Sequence, residues 1–133
     1  MNKKLKELRK NLFVEISAWG GLSQTPGIEG TIITKDNKIY IYHEYDFVSE
    51  DLKDIVSRKG ISEGKEVKKG TIEKLNDYIK NNIEGKSFLT AYQIDDASFH
   101  IVVDYNNKIY EIDDYPNIFS GLMEIIEKNE NII

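Results

Sequence analysis

The sequence predicts an α+β fold: an antiparallel sheet of about six strands, built from two βββα repeats, with helices packed on the sheet. Three observations predict it. First, Thr31 to Tyr45 (TIITKDNKIYIYHEY) and Ile101 to Tyr115 (IVVDYNNKIYEIDDY) follow one pattern, with Asn37-Lys38-Ile39-Tyr40 matching Asn107-Lys108-Ile109-Tyr110. Second, each copy reads as a hairpin with a helical pattern after it. Third, 133 residues without cysteine fit one domain that buries roughly two thirds of its unfolded surface and folds without disulfides. A single domain over 1–133 is expected, with the repeat units at 12–60 and 87–129.

Leu5, Leu8 and Leu12 form one helical stripe, so a helix is expected from about Asn2 to Lys10. Leu12 to Trp19 alternates like a strand, with Val14, Ile16 and Ala18 on one face and Phe13, Glu15, Ser17 and Trp19 on the other. Gly20-Gly21 ends it. Ser23, Pro26, Gly27 and Gly30 make Leu22 to Gly30 an expected irregular loop. The first hairpin turns through Asp36-Asn37, so Ile33 should face Tyr40 and Thr31 should face Tyr42. Ser49 is a good N-cap for a helix carrying Leu52, Ile55 and Val56 and stopping at Gly60. Polar Ile61 to Gly70 reads as a surface loop. Ile72, Leu75, Ile79 and Ile83 then define a helix from Thr71 to Gly85.

The second copy begins with a strand over Phe88 to Ile94, turns through Asp95-Asp96-Ala97, and forms its hairpin around Asn106-Asn107. Pro116 suits the first turn of a last helix, whose stripe is Ile118 or Phe119, Leu122, Ile125 and Ile126. In this hairpin Phe99, Ile101, Val103, Tyr110 and Ile112 share one face, and His100, Asp104, Glu111 and Asp113 share the other. The first hairpin is apolar on both sides and needs cover on both. Either the N-terminal helix lies on its second face, or another chain covers it.

Eighteen basic against 23 acidic residues give a net charge of −5, which disfavours nucleic acid as a partner and suits a basic protein. The first dozen residues lack the unbroken apolar stretch of a membrane span, and a cytoplasmic location is expected. No phosphate-binding loop, dinucleotide fingerprint or zinc motif occurs, and no cofactor or metal site is expected. His100 facing Asp113 resembles a base and its orienting carboxylate, but no evident nucleophile accompanies them.

The leading expectation is a non-catalytic protein-binding protein, in its specific form an acidic immunity- or inhibitor-type protein that neutralises a basic partner. Its recognition edge would comprise Asp95, Asp96, Asp113, Asp114 and Tyr115 of the second copy, with Glu44 and Asp46 of the first. One alternative is a small-ligand or enzymatic pocket using Trp19, His43 and Glu44 beside the Leu22 to Gly30 loop. Another is a homodimeric structural module joined through Ile32, Ile39 and Ile41.

Overall fold

Alternating apolar residues make the segment after the first helix a strand, and pairing on both of its edges places that strand inside the sheet. The computed structural model describes residues 3–20, 27–45, 60–88, 97–113 and 115–130. Its elements are α1 (Lys3–Arg9), β1 (Leu12–Gly20), β2 (Gly27–Thr34), β3 (Lys38–Tyr45), β4 (Gly60–Ile61), β5 (Lys65–Glu66), α2 (Lys69–Asn82), β6 (Ala97–Tyr105), β7 (Lys108–Asp113) and α3 (Pro116–Glu130). The strands run β3-β2-β1-β6-β7 across an antiparallel sheet, and β4 and β5 share the outer edge of β3, so the sheet is six strands wide.

Cross-strand register defines two faces, because residues opposite one another point the same way. One face carries the rows Ile39–Ile33–Val14–Val103–Tyr110 and Ile41–Thr31–Ile16–Ile101–Ile112. The main core forms there, where the rows meet Leu75, Ile79 and Ile83 from α2 and its C-terminal turn and Leu122 and Ile126 of α3. The other face carries Tyr40–Ile32–Glu15–Val102–Glu111 and Tyr42–Gly30–Ser17–His100–Asp113. On that side Leu5 of α1 packs with Leu12, Ile32 and Tyr42 in a second, smaller core. The N-terminal helix is thus the cover that the first hairpin needed. Ile32 and Ile39 are buried within the chain and Ile41 is half-buried, with Ile32 on the face opposite the other two.

The two helices of the main face are tied together by polar groups as well as packing. Glu130, at the end of α3, accepts hydrogen bonds from the backbone N–H of Lys68 at 3.0 Å and from the Thr71 hydroxyl at 2.5 Å. A carboxylate from α3 therefore satisfies the start of α2, where free N–H groups favour negative charge. Tyr78 of α2 lies over Gly121 of α3, where a Cβ would come within 2.2 Å of the phenol oxygen.

The second hairpin is the predicted one. Tyr105 pairs with Lys108, leaving the two-residue turn Asn106-Asn107 with both residues at positive φ, 52° and 62°. The first hairpin departs from expectation by one residue: Ile33 faces Ile39 and Thr31 faces Ile41. Its loop is Lys35-Asp36-Asn37, with Asn37 at φ 62° and its N–H bonded to the Thr34 carbonyl at 3.0 Å. A slip of one residue exchanges faces, and here it sends Tyr40 and Tyr42 to the side covered by α1.

Three further expectations are corrected. β2 starts at Gly27, so the end of the expected irregular loop is strand. The Tyr42 ring lies over Gly30, where a Cβ would meet Tyr42 Cζ at 2.2 Å, so this glycine belongs to a strand that needs close approach. Within the expected surface loop, Gly60–Ile61 and Lys65–Glu66 pair with β3 as short edge strands. Finally, β6 is bonded to β1 from Val14 to Gly20 and to β7 on its other side. The position that a separate second meander requires beside β6 is therefore held by β1. The two hairpins fan out in opposite directions from β1 while Ile33 and Val103 face the same core, so no rotation superposes them residue on residue. The expected helix over Ser49 to Gly60 falls, apart from Gly60, outside the described residues. So does all of the expected Phe88 to Ile94 strand except Phe88.

Candidate functional site

The face shared with α1 gathers polar side chains that the strand pattern leaves scattered. Glu15 sits mid-strand in β1, its side chain only 4 % exposed. Arg9, at the end of α1, donates to it from Nε at 2.9 Å and from Nη2 at 2.7 Å, and Tyr42 Oη donates to Oε2 at 2.6 Å. The guanidinium also lies 5.9 Å from the Tyr42 ring centroid. Burial pushes the Glu15 carboxyl up, but the hydrogen bonds from Arg9 and Tyr42 outweigh it and hold the group below the ordinary glutamate range. Burial, then the bond to Glu15, raises Tyr42 well above the usual phenol range.

The next row on this face places Ser17, His100 and Asp113 on three adjacent strands. His100 Nδ1 contacts the Asp113 carboxylate, as the register of the second hairpin predicts. The order Ser–His–Asp invites comparison with an acyl-transfer triad. Ser17, however, is buried, which closes its hydroxyl to an incoming substrate. The row supplies a His–Asp pair beside a buried hydroxyl.

On the same face Val102 of β6 still packs against the small core of Leu5, whereas β7 presents exposed Ile109, Glu111 and Asp113. Ile109 is 64 % exposed and is the large apolar residue of the described chain that stands most clear of its surroundings. It pairs with Asp104, while Glu111 and Asp113 follow on β7, the sheet edge among the described residues. Lys35 bridges to Asp104 at 2.9 Å. Of the expected recognition residues, Asp113 lies here. Tyr115 is half-buried and packs edge-on against Phe88, ring centroids 5.1 Å apart. Glu44 pairs with Ile28 at the same end of the sheet, but β3 lies four strand spacings from β7, about 19 Å away. Asp46, Asp95, Asp96 and Asp114 lie outside the described residues.

On the main face, the row His43–Glu29–Ala18–Phe99 closes the same end of the sheet. Above it Phe119 and Met123 of α3, with Ile16, Ala18 and Ile41 of the sheet, enclose a cleft of about 200 Å³. Its polar lining includes Thr31, Glu29 and His43. His43 Nδ1 is buried without a hydrogen-bond partner, and the nearest Glu29 oxygen is 3.4 Å away. At that separation we read an electrostatic contact and not a hydrogen bond. The expected trio is therefore only partly assembled: His43 lines the cleft, while Trp19 and Glu44 belong to the neighbouring backbone row, each paired with Ile28.

Sequence reasoning named neither the Arg9–Glu15–Tyr42 network nor Glu29. A signal for the first existed in a lone carboxylate inside the apolar run Leu12 to Ala18, since a charge in such a run needs a buried partner. Among the described residues, no group of three or more His, Asp or Glu side chains is placed to hold a metal ion, and no helix is long and apolar enough to cross a membrane. No protein-family model matches the chain, and no curated protein matches it either.

Proposed function

We propose that this chain is a non-catalytic protein-binding protein, acidic and of the immunity or inhibitor kind, and that the exposed side of β7 receives a basic partner. The observation that carries the reading is Ile109, 64 % exposed between Asp104 and Glu111 on that side. An apolar anchor ringed by charge is the usual make-up of a recognition patch: the anchor supplies affinity when desolvated, and the ring supplies steering. The overall charge of −5 speeds encounter with a basic protein. Among the described residues no strand pairs with the outer side of β7, which leaves main-chain groups for an added strand.

The test uses the intact protein as bait in an extract of its native host. The captured partner is then purified and its affinity measured at low and high salt. A basic partner is expected, weakened by salt, with Ile109→Asp lowering affinity at least tenfold, about 1.4 kcal/mol, and Glu111→Lys slowing association. A second set, Asp95, Asp96 and Asp114 to Asn, tests the rest of the acidic edge. A partner held equally by wild type, Ile109→Asp and Glu111→Lys would defeat the proposal.

A further inference from the structure

The geometry points to the cleft between β1–β3 and α3 as a binding site for a small aromatic amine: one ring carrying a short alkylammonium arm. This site lies on the opposite face of the sheet from the proposed protein-recognition surface and stands independently of it. Size sets the ring. A cleft of about 200 Å³ is comparable to an apolar cavity of about 150 Å³ that holds benzene. The walls of Ile16, Ala18, Ile41 and Met123 are apolar, and Phe119 adds an aromatic surface for a ring to pack against.

The polar end sets the charge. Glu29 and His43 are the titratable groups among the described lining residues, their closest atoms 3.4 Å apart. A neutral imidazole protonated at Nε2 presents Nδ1 as an acceptor. In His43 that atom is unpartnered and closed to solvent as the ring stands, a costly arrangement that a ligand donor would relieve once the imidazole turns Nδ1 toward the cleft. An ammonium group supplies what both residues lack, a hydrogen bond to Nδ1 and a positive charge beside the Glu29 carboxylate. An anion of the same shape would meet Glu29 as a like charge. The Glu29 side chain is 70 % exposed, so its contribution to selectivity is screened and modest.

The experiment titrates the whole protein with phenethylamine, 3-phenylpropionate and benzyl alcohol, following backbone amides by NMR. Phenethylamine is expected to bind saturably, with shifts centred on Ala18, Glu29, Ile41 and His43, and more tightly than 3-phenylpropionate. Glu29→Gln should weaken phenethylamine about fivefold and leave benzyl alcohol unchanged. Ala18→Leu, which fills the cleft, should abolish binding of all three probes. If that variant loses amide dispersion, Met123→Phe serves as the blocking variant. Absence of saturable phenethylamine binding, equal or tighter binding of 3-phenylpropionate, or binding that survives the blocking variant would overturn the inference. None of these outcomes bears on partner capture at Ile109.

Discussion

Replacing Arg9 with alanine isolates the electrostatic link between α1 and the sheet. In the wild type the Glu15 carboxylate accepts three hydrogen bonds, two from Arg9 and one from Tyr42. The variant leaves it buried with Tyr42 alone. Breaking a fully buried pair by deleting one partner costs about 3–5 kcal/mol, but the Arg9 side chain is 35 % exposed, so water reaches part of the vacated space. A loss of about 2 kcal/mol is expected near pH 7, read by urea unfolding with far-ultraviolet circular dichroism. The pH dependence carries the sharper test. With Arg9 present, Glu15 is held below its ordinary range, so its ionised form stabilises the fold above the unfolded value of about 4.3 and loses that contribution as pH falls through the folded value. Without Arg9 the hydrogen bonds and charge that most lower the Glu15 carboxyl are gone, so it titrates higher than in the wild type and its ionised form stabilises the fold less. The gap between wild type and variant should therefore be widest near neutrality and shrink on acidification. A gap that is constant down to about pH 4 would refute the reasoning.

Three further outcomes test the packing. Gly30→Ala places a Cβ 2.2 Å from the ring of buried Tyr42 and should cost about 2–3 kcal/mol in thermal unfolding, whereas Gly70→Ala, with nothing within 4 Å, should be neutral or stabilising. Glu130→Ala removes the carboxylate that bonds Lys68 N–H and the Thr71 hydroxyl and should lower stability by about 1 kcal/mol in urea titration. At Asn107, φ 62°, substitution by valine should cost about 1–2 kcal/mol while glycine is tolerated, which unfolding of the two variants side by side would show.

Helix α2 and the second hairpin were legible because their signals are local. A stripe at helical spacing marked Leu75 and Ile79, and Asn106-Asn107 left one natural turn. The first hairpin was ambiguous for a physical reason. Asp36 and Asn37 both suit a turn, and a three-residue loop with Asn37 left-handed competes with a two-residue one. Choosing between them decides which face Tyr42 joins, and with it whether Glu15 finds its phenol donor. Gly30 read as a turn residue because what it accommodates, the Tyr42 ring, comes from the neighbouring strand. The role of β1 was out of reach of periodicity altogether. Its pattern fits a meander edge as well as a strand between two hairpins, and only the long-range pairing of Ile16 with Ile101 decides. The sequence likeness of the two hairpins therefore described their strands and the second turn, set the first turn one residue off, and misplaced the hairpins relative to one another. For the site, the His100–Asp113 pair followed from register, and His43 from its place at a strand end. The cleft beneath Phe119 depends on how α3 crosses the sheet, which local pattern does not encode.

The β7 surface and the cleft under α3 both take their faces from β1 lying between the two hairpins, so the most direct measurement is of cross-strand proton contacts by nuclear Overhauser spectroscopy on labelled protein. The arrangement predicts that Ile16 and Ser17 show backbone contacts in two directions, to Thr31 and Gly30 of β2 and to Ile101 and His100 of β6. Contacts from β6 to the Phe88 to Ile94 segment in place of β1 would contradict it.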